Sequence, residues 1–155
     1  MIRMSLILTL LLFVFSCKSK KDKVSEQIEQ EIATYKLEMV ASDLYGGAEE
    51  EVFEVIRDQA SLQKFYRKVN MTRKPGLPVP QIDFTKNMAV LYCSGSTKAA
   101  KMPDMLISLQ NDTEMYLEKA KLTAQDSIVE PTATLTPFGL YLLPLTDKQV
   151  IFSQK

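Results

Sequence analysis

The chain has 155 residues, with 19 basic and 19 acidic side chains and no histidine. A neutral chain without a basic stripe argues against nucleic acid as a partner, because that binding rests on neutralising phosphates. Without histidine there is no Ser-His-Asp or Cys-His nucleophile and no imidazole-ligated metal.

Met1 to Cys17 sets the compartment. Arg3 is a short basic start, and Met4 to Ser16 is apolar except for Ser5, Thr9 and Ser16. A run this short suits a signal peptide better than a transmembrane helix, which needs about 20 apolar residues. It ends in Val14-Phe15-Ser16-Cys17. That ending resembles the bacterial lipobox, with an aliphatic residue at −3, a small residue at −1 and then the cysteine that takes the lipid. Phe15 is bulkier than the usual −2 residue. The competing reading, an ordinary secretory signal, lacks a small-x-small cleavage site, since Lys18-Ser19-Lys20-Lys21 follows directly. The expectation is a lipoprotein signal peptide over residues 1–16 and lipidation of Cys17. Two or more acyl chains anchor firmly, at about 0.8 kcal/mol per buried methylene.

Removing residues 1–16 takes away Arg3 and no acidic residue, which leaves 18 basic side chains against 19 acidic. Residues 17–31 read as the lipidated cysteine and a polar, flexible tether. Residues 32–155 suit one small domain that can bury a core without disulfides. With Cys17 carrying lipid, Cys93 has no partner in the chain. It lies in the apolar run Met88 to Cys93 and reads as a small buried hydrophobe.

Within the domain, Thr34 to Ala41 reads as a strand. Tyr45-Gly46-Gly47 reads as a turn, Glu49 to Glu51 as a solvent-facing charge run at a strand edge, and Val52 to Ile56 as a second strand. Asp58 is a candidate N-cap for a helix that ends near Asn70. Its residues Leu62, Phe65, Tyr66 and Val69 form one apolar stripe, with Gln63, Lys64, Arg67 and Lys68 towards water. Pro75, Pro78 and Pro80 predict an extended loop. Met88 to Cys93 is the expected central strand. Residues 94–103 follow as a loop. Met105 to Gln110 and Glu114 to Leu122 are expected to pair as a hairpin across Asn111-Asp112. Thr123 to Thr136 reads as loop, and Phe138 to Leu143 and Val150 to Phe152 as the last strands. One helix among six or seven strands, without βαβ alternation, predicts an α+β fold: a mainly antiparallel β-sheet with one packed amphipathic helix. Phe65 and Phe84 are expected to be buried in its core.

Motifs for chemistry are sparse. Ser61-Leu62-Gln63-Lys64 fits the S-x-x-K pattern of serine acyl-enzymes, but no S-D-N or K-T-G follows. Gly95-Ser96-Thr97-Lys98 is not a phosphate-binding loop, and Glu49 to Glu51 lacks calcium-loop spacing. Asp83 beside Phe84 reads as the acceptor of a local turn. No catalytic, cofactor-binding or metal-ligating residue is assigned.

From Gly46 onward the order of elements resembles the C-terminal domain family named after PrcB, an accessory lipoprotein subunit of a bacterial surface protease complex. The features are the strand Val52 to Ile56 and the helix with Leu62 and Phe65. Next come Pro80-Gln81-Ile82-Asp83-Phe84, the strand from Met88 to Cys93 ending at Gly95, and Thr136-Pro137-Phe138 before Gly139 to Leu143. Lys98-Ala99-Ala100-Lys101 stands where the family carries a Gly-Gly-Tyr turn. The resemblance implies an accessory or interaction domain without a catalytic role.

The expectation is therefore an envelope lipoprotein whose non-catalytic domain binds a protein partner, supporting a protease or another complex, with no cofactor. Lys18 at +2 is not an inner-membrane retention aspartate, and the tether lacks an acidic export cluster. The first favours the outer membrane and the second its periplasmic face. The alternative is a small hydrolase or ligand-binding envelope enzyme using Asp83, Ser61 or Cys93.

Overall fold

In the computed structural model, residues 35–122 and 133–153 are described. The leader, Cys17 and the tether lie outside them, as does most of the loop expected over Thr123 to Thr136. The described residues form strands β1 (Tyr35–Lys36), β2 (Glu38–Asp43) and β3 (Glu51–Ile56), then helix α1 (Gln59–Asn70). Strands β4 (Asn87–Ser94), β5 (Met105–Gln110), β6 (Glu114–Lys119), β7 (Phe138–Pro144) and β8 (Gln149–Phe152) follow. The α+β class holds, dominated by sheet.

The strands divide into two four-stranded sheets, ordered β1-β5-β6-β8 and β2-β7-β4-β3. Every pairing is antiparallel except β6 with β8, which is parallel. Strand β4 lies between β3 and β7 and is central, as its apolar run predicts. Successive residues of a strand point to opposite faces, and here both faces are covered. Met88, Val90 and Tyr92 enter one core, shared with Met105 and Leu117 of the other sheet. Ala89, Leu91 and Cys93 enter a second core, shared with Leu62, Tyr66 and Val69 of α1. Burial on two faces is why β4 reads as a continuous apolar run instead of an alternating one. The result is three layers: sheet, sheet, then α1 with the proline-rich segment.

Helix α1 starts where its cap places it. Asp58 Oδ1 accepts the Ser61 N–H at 2.7 Å, which satisfies one of the free amides of the first turn. Leu62, Tyr66 and Val69 are buried. The proline-rich segment is clamped to the helix end by Asn70, whose amide donates to the Leu77 carbonyl at 2.9 Å and accepts the Leu77 N–H at 2.7 Å. Leu77, Val79, Ile82 and Phe84 then pack on the helix-side core.

Several expectations need correction. The strand expected over Thr34 to Ala41 is two strands in different sheets, and Leu37, 1% exposed, sits at the crossing. The strand expected to reach Leu122 ends at Lys119. Phe65 and Phe84 are half-buried, not buried; they flank the helix-side core without entering its centre. Glu49, Glu50 and Glu51 are all exposed, as expected, and Glu51 opens edge strand β3, where its carboxylate is also bonded to Lys119 and Tyr92.

Candidate functional site

Strand β3 is a sheet edge, and α1 packs over β4 and β7. The overhang leaves a groove between the helix and the helix-side face of β3 and β4. Val52 and Glu54 from β3 and Leu91 and Cys93 from β4 form its floor. Ser61, Lys64, Phe65 and Lys68 of α1 form its roof, and the Gly46–Ala48 turn also lines it. The space is about 370 Å³.

The glycines make the close packing of this turn possible. Gly46 has φ +101°, and a Cβ there would lie 2.7 Å from Val69. A Cβ at Gly47 would lie 2.7 Å from the Thr136 carbonyl oxygen. Backbone bonds fix the turn: Gly47 N–H donates to the Thr136 carbonyl at 2.8 Å, and Gly46 N–H to the Thr136 hydroxyl at 3.3 Å. Phe65 is held edge-on against Phe138, with ring centroids 5.0 Å apart, a favoured aromatic geometry.

The groove brings together two of the three candidate residues, Ser61 and Cys93, and leaves Asp83 outside it. Neither is set up as a nucleophile. The Ser61 hydroxyl donates to Asp58 Oδ2 at 2.8 Å, so its proton is engaged by the cap. Burial pushes the Cys93 thiol up, against a smaller opposing effect of the Ala48 N–H it accepts and of Lys68. A raised thiol lowers the thiolate fraction and with it the reactivity. Asp83 takes the local turn role: its Oδ1 accepts the hydroxyl of Thr85 and, at 3.1 Å, the Thr85 N–H. Those bonds hold its carboxyl below the usual range.

Lys64 and Lys68 are the groove's unexpected members. The sequence places them on the water side of α1, and they are exposed. They also stand one turn apart over the groove, a spacing that brings side chains together on a helix. Among the described residues neither has an ion-pair partner. Only the position of β3, set by long-range pairing, turns this exposed pair into a rim.

Among the described residues no group of three or more His, Cys, Asp and Glu is placed to hold a metal ion, and no helix is long and apolar enough to cross a membrane. No protein-family model, curated protein or solved structure matches the chain.

Proposed function

We propose that the chain is an envelope-anchored lipoprotein whose α+β domain is a non-catalytic accessory module that binds another protein, in support of an envelope protease or a similar complex. The single observation that carries this reading is Val14-Phe15-Ser16-Cys17 at the end of a short apolar run. The anchor is the lipid on Cys17, and the membrane is the outer one, on its periplasmic side. The order β3, α1, Pro80-to-Phe84, β4, β7 supports kinship with the PrcB-type domain. The 94–103 loop departs from that family at Lys98 to Lys101, so any role of the family's turn is not carried over.

Acyl labelling tests the anchor. Cys17→Ser should abolish labelling and block lipoprotein-type processing. Mature protein that starts elsewhere and carries no lipid would overturn the reading. Pull-down from solubilised envelope with mass spectrometry tests the module, which should capture one stoichiometric protein partner. Protease shaving of intact cells tests the face: loss of the domain without lysis would place it outside the cell.

A further inference from the structure

We infer that the groove under α1 is a binding site for a small organic anion, a carboxylate on a short apolar body. The first support is its shape. At about 370 Å³ the groove lies at the lower end of small-ligand pockets, about 300–1,000 Å³. The Gly46–Ala48 turn adds to its lining. That is room for one compact body.

The second support is the division of its walls. Val52, Leu91, Cys93 and the Phe65 ring supply an apolar interior. Lys64 and Lys68 stand at the rim. Elsewhere on the domain Lys36 pairs with Asp104, Arg73 with Asp43, Lys86 with Asp83 and Lys119 with Glu51. Lys64 and Lys68, like other exposed basic side chains such as Arg67, have no ion-pair partner among the described residues; what sets these two apart is that both line the same groove. A carboxylate between them gains two charge-assisted contacts, while its aliphatic body is removed from water below.

Glu54 is the one acidic group that lines the same space. It leaves the rim with one net positive charge, and it gives the inference a second, opposite handle. Removing Glu54 should strengthen an anion's binding, whereas removing either lysine should weaken it. A groove that merely collects apolar compounds would respond to neither change.

The test uses the full lipidated chain in its membrane. The probe is 4,4-azipentanoate, a short carboxylate that photo-crosslinks through its diazirine, with the matching diazirine alcohol and amine as controls. Crosslinks from the acid should map to Val52, Phe65, Leu91 and Cys93 and should be competed by hexanoate. Lys64→Gln with Lys68→Gln should lower them about tenfold, as expected for two exposed charge contacts. Glu54→Gln should raise them. All three side chains are exposed, so the variants keep the fold, which unchanged melting temperatures would verify. Crosslinks that scatter over the surface, match those of the alcohol, or ignore all three substitutions would overturn the inference.

Discussion

The Tyr92 hydroxyl donates to Glu51 Oε1 at 2.6 Å, and the same oxygen takes the Lys119 ammonium. One carboxylate on edge strand β3 thus joins its own sheet, through β4, to β6 of the other sheet. Lys119 and then Tyr92 hold the Glu51 carboxyl below its ordinary 4.5. A carboxylate whose folded pKa is depressed adds stability above its unfolded pKa. That stability is lost as pH falls through the folded value. The Glu51 side chain is 30% exposed, so screening limits the contribution to about 1 kcal/mol at most. Urea unfolding of the native protein and Glu51→Gln should therefore show a gap at pH 7 that closes as pH falls through the lowered Glu51 value. A gap that persists or widens in acid would refute this account of Glu51.

Tyr141 is fully buried, and its hydroxyl donates to the Pro103 carbonyl at 2.5 Å. That bond ties β7 to the end of the 94–103 loop. Tyr141→Phe removes the donor and leaves a buried carbonyl unpaired, at a cost of about 1–3 kcal/mol. Two residues back, a Cβ at Gly139 would meet the Tyr141 ring at 2.9 Å, so the ring would have to shift. Gly139→Ala should cost a similar amount by overpacking, about 1–3 kcal/mol. In the double variant the two costs should not add, since both act on one ring. Denaturant midpoints of the two single variants and the double variant would check this.

What could be read from the sequence follows from how local each signal is. Helix α1 is visible because its cap and stripe lie within twelve residues, and β4 because burial on both faces leaves no polar position between Met88 and Cys93. The break at Leu37 is invisible. No glycine or proline marks it, and the chain changes sheets there because β5 and β7 offer separate edges. The parallel pairing of β8 with β6 is equally hidden, since a strand's direction comes from its partner and not from Val150 to Phe152. The groove fails for the same reason. Ser61 and Lys64 are neighbours on α1 by their spacing alone, but only the packing of α1 over β4 brings Cys93 to them, and only β3 beside α1 makes a groove of the three.

The Asn70 clamp predicts a local effect. Asn70→Ala removes both bonds to Leu77, so the proline-rich segment should loosen before the sheets do. Amide exchange at Leu77 and Val79 should rise, while exchange in β4 stays slow. Uniform acceleration across the domain would mean that the clamp holds up the whole fold and not the segment alone.

Phe65 and Phe84 separate the packing role of the helix-side layer from any chemistry in it. Both are half-buried, so truncation to Ala should cost less than the 3–5 kcal/mol typical of a buried Phe, about 1–3 kcal/mol. Leu62 is fully buried beneath them, and Leu62→Ala should cost more, about 2–5 kcal/mol. Ser61 is exposed, and its hydroxyl bonds only to the cap. Ser61→Ala keeps the Ser61 N–H bond to Asp58 and should barely move the melting temperature. Asp58→Ala removes that bond and should lower it. The same Ser61 variant also tests the functional reading, because an accessory module without it should still capture its partner. If Ser61→Ala kept the fold and abolished a measurable hydrolytic activity, the groove would belong to an enzyme and the accessory reading would fall.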